Sequence, residues 1–105
     1  MPFATIVEHD YPGWDEASRL DRPGVFRLNI GAGRGAFERQ VGFPPAALEN
    51  RRDSLDFSRL DEFLPHPAYG AQGWLCILNP GRERRAEIQS LLAEAHTRAP
   101  HQPRS

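Results

Sequence analysis

Val25-Phe26-Arg27-Leu28-Asn29-Ile30 decides the fold, because alternate positions carry opposite chemistry. Val25, Arg27 and Asn29 fall on one side and Phe26, Leu28 and Ile30 on the other, the two-residue period of a half-buried strand. Asp21-Arg22-Pro23-Gly24 supplies a turn ahead of it, and Gly31, Gly33 and Gly35 interrupt it behind. A strand with one apolar side belongs to a sheet that buries that side against other elements. The polar side is either solvated, or covered and in need of partners for Arg27 and Asn29, which Asp21 or Glu8 could supply; a polar ligand is the other way to satisfy the pair.

Working outward, Phe3-Ala4-Thr5-Ile6-Val7 is rich in β-branched residues and reads as a second strand. Trp74-Leu75-Cys76-Ile77-Leu78, bounded by Gly73 and Asn79-Pro80-Gly81, reads as a central strand. Tyr11-Pro12-Gly13-Trp14 is a turn, after which Asp15 to Leu20 has room for one helical turn. Arg34 to Val41 forms a short helix with Phe37 and Val41 one turn apart and Gly42 at its C-terminal cap. Residues 43–54 are arginine-rich and apolar-poor, a loop with at most a helical turn at Ala46 to Glu49. Asp56 or Ser58 caps a predicted helix over Arg59 to Leu64, with Leu60, Phe63 and Leu64 inward, until Pro65 ends it. Arg82 to Arg98 carries the clearest helical stripe, Ile88, Leu91, Leu92 and Ala95. Residues 1–98 therefore read as a single α+β domain, a small antiparallel or mixed sheet with strands at 3–8, 25–30 and 73–78 packed against the C-terminal helix. Pro100 and Pro103 mark 99–105 as a disordered tail.

The 105 residues suffice for one domain, and 39% hydrophobic with 26% charged residues gives a polar but globular chain. A formal net charge of -1 gives no global positive field to draw it to phosphate backbones or anionic membranes. All 13 basic residues are arginine, which excludes a phosphate-loop lysine and Schiff-base chemistry. The single cysteine, Cys76, forms no intramolecular disulfide and builds no thiolate metal site; it lies in an apolar run and reads as buried and inert. With no stretch near the roughly 18 apolar residues of a membrane helix, the expectation is a soluble, cytoplasmic protein that does not engage membranes.

Gly31-Ala32-Gly33-Arg34-Gly35-Ala36 fits the G-x-G-x-x-A pattern, but Asp53, the acidic residue about 20 positions on, lies in a stretch without a strand. The pattern reads as a plain strand-to-helix turn, with an anion site assisted by Arg34 and nucleotide binding as lesser readings. His9, His66, His96 and His101 lack the i, i+4 spacing with a glutamate that marks helical zinc sites, so no metal and no cofactor is expected. His66, Tyr69 and Trp74 gather an imidazole, a phenol and an indole near a strand entrance. They form either a ligand pocket or a core in which His66 satisfies a buried hydroxyl or indole. Arg34, Arg39, Arg51, Arg52, Arg82, Arg84 and Arg85 alternate with Glu38, Glu49, Asp53, Glu83 and Glu87, the pattern of an ion-paired surface more than of a nucleic-acid interface.

Pro2-Phe3-Ala4-Thr5-Ile6-Val7, Asp10-Tyr11-Pro12-Gly13, Leu20-Asp21-Arg22-Pro23-Gly24-Val25-Phe26-Arg27-Leu28-Asn29-Ile30-Gly31, Leu64-Pro65-His66-Pro67-Ala68-Tyr69, Gly73-Trp74 and Leu78-Asn79-Pro80 together resemble an uncharacterised bacterial family of the domain-of-unknown-function class. The family is distantly similar to MmcQ/YjbR-like proteins, small α+β domains labelled DNA-binding on fold analogy, which does not establish function. The resemblance implies a further helix and strand ahead of Pro2-Phe3, so the chain reads as shortened at its N-terminus or started late. A missing strand would leave an exposed sheet edge, for which a homodimer is the natural remedy. The resulting expectation is a protein of unknown function acting as a small binding or interaction module. Its site is His66, Tyr69, Trp74, Arg27 and Asn29, and its ligand is small and polar or anionic. Weak DNA binding is the runner-up, and an enzyme using His66 the third reading, because no nucleophile or orienting carboxylate accompanies that histidine.

Overall fold

The computed structural model describes residues 3–98; the expected tail at 99–105 lies outside the described residues. Four strands, β1 (Ala4–Val7), β2 (Arg27–Ile30), β3 (Leu64–Pro65) and β4 (Leu75–Leu78), form one sheet in the order β1-β2-β4-β3. Every neighbouring pair is antiparallel. The helices are α1 (Arg34–Val41), α2 (Leu48–Arg51) and α3 (Arg85–Arg98), and short 3-10 turns flank α2 on both sides and lead into α3. The architecture is α+β, with β2 and the apolar β4 in the middle of the sheet, as the alternation and the continuous apolar run require.

Register sorts the sheet into two faces of different character. Ile30 pairs with Leu75 and Leu28 with Ile77, and this face joins Ala36 and Phe37 of α1 and Leu91 and Ala95 of α3 in the hydrophobic core. Phe43, Leu48 and Phe63 complete it, so the stretch around α2 supplies a buried leucine that its arginine-rich composition hides. Arg27 pairs with Val7 and Leu78, and Asn29 with Thr5 and Cys76, on the opposite face. That face is covered as well, by the segment between β1 and β2, and Arg27 is 0% exposed.

Two local expectations are corrected. No helix spans Arg59 to Leu64: the Asp56 carboxylate accepts from the Ser58 backbone N–H at 3.0 Å and from its hydroxyl, which holds a turn instead. Leu60 then bridges Leu78, the Asp61 N–H donates to the Leu78 carbonyl at 2.6 Å, and Leu64 extends ahead of Pro65, which disfavours helical geometry in its predecessor, to make β3. The sheet thus has four strands where three were expected, and Leu60 is exposed rather than inward. Asp15 to Leu20 likewise forms turns and no helix. The Asp10 carboxylate accepts from the Leu20 N–H at 2.8 Å and closes residues 10–20 into a compact loop, within which Arg19 sits at a φ of 54°.

The glycine pattern at 31–36 serves packing. The Gly33 N–H donates to the Gly73 carbonyl at 3.1 Å, and the Gly33 carbonyl accepts from Phe37 to open α1. Gly73 holds a φ of 88°, and a Cβ there would lie 3.1 Å from the Gly33 carbonyl carbon, so two backbones meet where no side chain fits.

Candidate functional site

β2 carries Arg27 and Asn29 side by side on the covered face, and the loop at residues 10–20 brings Asp15 and Ser18 over them. The loop turns sharply at Tyr11-Pro12-Gly13-Trp14, where the Tyr11 and Asp15 backbones bridge in antiparallel fashion. This turn points Asp15 inward and leaves Trp14 exposed. Arg27 Nη1 and Nη2 donate to the two Asp15 carboxylate oxygens at 3.0 and 2.6 Å, a bidentate ion pair out of contact with water. Nη1 also donates to the Ser18 hydroxyl at 2.9 Å, and Nε to Asn29 Oδ1 at 2.7 Å. Asn29 passes the network on, donating from Nδ2 to the Thr5 hydroxyl at 3.0 Å. The partner of Arg27 is therefore Asp15, whereas Asp21 and Glu8 lie elsewhere: Asp21 accepts at the surface from the Asp10 N–H.

His66 follows β3 directly, and its backbone N–H donates to the Trp74 carbonyl at 2.9 Å, so the sheet ladder itself positions the ring. Its Nδ1 accepts from the backbone N–H groups of Ala68 and Tyr69, both at 3.0 Å. Its Nε2 lies 3.5 Å from Arg27 Nη2. Burial pushes the imidazole down to about 4 from 6.5; the charge of Arg27 adds to that shift and Asp15 opposes it. Burial by itself would raise the Asp15 carboxyl, but the hydrogen bonds and charge of Arg27 outweigh it and hold the group below 3.8. At neutral pH the cluster is thus an Arg27–Asp15 ion pair beside an uncharged imidazole.

Above this polar floor opens a cavity of about 640 Å³ rimmed by aromatic rings. Tyr11, Trp14 and Tyr69 are all substantially exposed. They meet edge to face, with ring centroids 5.7 Å apart between Tyr11 and Trp14 and 6.0 Å between Trp14 and Tyr69. Tyr69 reaches His66 with ring centroids 5.0 Å apart, and Trp74 stands 6.4 Å from the imidazole. Gly31 permits this placement, because a Cβ there would lie 3.0 Å from Trp74 Cζ2.

All five residues singled out from the sequence, Arg27, Asn29, His66, Tyr69 and Trp74, line this one cavity. Asp15, Trp14, Tyr11 and Gln72 also line it and were missed, as was Ser18 behind Arg27. The turn signal at residues 11–14 was the clue to them, since a chain that reverses there returns across the sheet. Among the other histidines, His96 packs against Phe3 at 5.1 Å and His9 lies at the surface 3.8 Å from Asp21, while His101 lies outside the described residues. Among the described residues no three His, Cys, Asp or Glu side chains are grouped to hold a metal ion. Cys76 is fully buried on the covered face, and desolvation pushes its thiol up to about 12.

The model of a family described as "Family of unknown function (DUF6194)" matches residues 1–104. The chain belongs to that family. Neither the curated proteins nor the solved structures gave a match. The DUF6194 chain has no described helix long and apolar enough to cross a membrane.

Proposed function

We propose that this DUF6194 chain is a cytoplasmic binding module whose cavity takes a small polar molecule. One observation carries the reading: exposed aromatic rings surround an opening whose floor is a buried, hydrogen-bonded polar cluster. Exposed aromatic groups of this size mark contact surfaces, and convergent polar groups beneath an apolar rim fix a ligand's orientation. A structural role alone would favour a smaller outlay, since a buried ion pair replaced by packed apolar residues is often no less stable. A lone buried thiol at Cys76 suits a reducing compartment.

His66 supports binding more than catalysis, because its Nδ1 lone pair is occupied by two amides and it stays uncharged at neutral pH. It has no free lone pair with which to act as a general base. The DNA-binding reading drawn from MmcQ/YjbR-like proteins is disfavoured by ion pairing at the surface, where Arg39, Arg52 and Arg84 bond Glu94, Glu49 and Glu87. The homodimer has its own support in β1, an edge strand with Ile6 65% exposed, onto which a second copy of this chain would add a strand. A concentration-independent monomer mass would remove the dimer without touching the cavity reading.

The binding test is tryptophan fluorescence against a panel of uncharged and anionic ring fragments, with Trp14→Ala as the control variant. Because Trp14 is exposed, the variant should fold as the parent does while losing tenfold or more in affinity. Fragments that bind both chains equally, or no binding fragment, would overturn the reading.

A further inference from the structure

We infer that the exposed rings of Tyr11, Trp14 and Tyr69 form a docking site for the head group of a small organic cation, and that a quaternary ammonium is the class it fits. The inference rests on the binding reading above and names the ligand chemistry of that site. The face of an aromatic ring is the negative end of its quadrupole, so a cation within about 6 Å of a ring centroid is attracted, most strongly to tryptophan. Trp14 stands between the two tyrosines, in edge-to-face contact with Tyr11 at 82° and with Tyr69 at 66°. Rings set at such steep angles do not form one flat stacking platform. All three are exposed and line the same opening.

The buried cluster acts on these rings through the backbone. The Tyr11 N–H donates to the Asp15 carbonyl at 3.0 Å and the Asp15 N–H to the Tyr11 carbonyl at 2.8 Å, so the Arg27–Asp15 ion pair anchors the turn that carries both Tyr11 and Trp14. The Tyr69 N–H donates to His66 Nδ1 at 3.0 Å, which ties the third ring to the same cluster. Rings ordered before binding lose little freedom when a ligand arrives. Among the described residues every buried polar side-chain atom has a hydrogen-bond partner, and Arg27 is wholly enclosed. Selection of the ligand therefore falls to the exposed rim.

Charge and hydration choose the ligand class. The loop that carries Tyr11 and Trp14, residues 8–21, holds Glu8, Asp10, Glu16 and Asp21 besides the paired Asp15, against Arg19 as its one arginine and His9 beside Asp21. Its field favours a cation and opposes an anion. A primary ammonium brings three N–H groups that aromatic rings satisfy poorly. A quaternary ammonium brings none, and its methyl groups suit an aromatic surface. The cavity of about 640 Å³ has the size of a small-molecule site.

Titrations of the intact chain at constant ionic strength, read in proton–nitrogen spectra at the Tyr69 and Trp74 amides, test this. Choline should bind about tenfold or more tightly than 3,3-dimethylbutanol, the neutral isostere in which carbon replaces the ammonium nitrogen. Because Trp14 is exposed, Trp14→Leu should fold as the parent does. It should lose about tenfold or more for choline and leave the isostere nearly unchanged, while Trp14→Phe keeps most of the choline affinity. Equal binding of choline and the isostere, no choline binding where a ring fragment binds, or unchanged choline affinity in Trp14→Leu would overturn this assignment alone. Failure of choline, the isostere and every ring fragment together would overturn the binding reading and this assignment with it.

Discussion

An arginine in the middle of a strand and fully out of water survives there because Asp15, Ser18 and Asn29 take its protons. Removing one member of such a pair strands the other charge, so Arg27→Met should cost about 3–5 kcal/mol of stability in urea unfolding. The double variant Arg27→Met with Asp15→Leu should cost less than either single change; a loss equal to the sum of the two single losses would show that the pair is not coupled. Cys76 gives a second check on the same face. Its thiol, pushed up to about 12 by burial, should resist alkylation at pH 8 in the folded chain and react once urea unfolds it. Fast labelling of the native protein would mean that the covered face opens to solvent. Arg27 and Asn29 could be singled out by their place in the alternation, but Asp15 could not. It lies twelve residues upstream, in a loop whose path depends on the Asp10 cap and on contacts across the sheet, and no period in the sequence encodes those.

At the level of elements, β2 and the stripe of α3 were legible because each has a hydrophobic period that matches its geometry, α1 because Phe37 and Val41 lie one turn apart ahead of Gly42, and β4 because a continuous apolar run is bounded by turn residues. β3 was not, since two residues are too few to show a period and Leu60, Phe63 and Leu64 mimic a helical face. In the sequence Pro65 looks like the end of a helix, whereas its effect on Leu64 is to extend the chain for pairing with β4. The joint between the loop before α1 and the loop before β4 depends on Gly73. Gly73→Ala combines a φ of 88° with a Cβ 3.1 Å from Gly33, so thermal unfolding should register a loss of about 1–3 kcal/mol. Because Trp74 is the next residue, its fluorescence should change too. A neutral substitution would show that the two loops can separate without cost.

For the molecule as a whole, the sequence predicted an α+β sheet covered by helices on one face and left the other face undecided. The structure covers that second face with irregular chain and a cavity, and stability there is tied to pH. The unfolded His66 imidazole titrates near 6.5 and the folded one at about 4, so the unfolded chain binds the extra proton between these values. Stability is therefore complete above pH 6.5 and falls by roughly 3 kcal/mol as pH drops towards 4. Asp15, held below 3.8, adds stability that is lost only at still lower pH. Urea midpoints between pH 4 and 7.5 should show the His66 slope, and His66→Asn should flatten it. An unchanged slope in the variant would place the titrating group elsewhere.

The measurement closest to the centre is a proton–nitrogen spectrum of the chain titrated with ring fragments, read at the indole N–H signals of Trp14 and Trp74. These two rings come from different parts of the chain, and both line the cavity. The expected result is that one set of ring fragments shifts both signals along the same saturation curve. Fragments that leave both indoles unmoved, or that move resonances of α3 and none at the cavity, would contradict the assignment of a binding site to this face of the sheet.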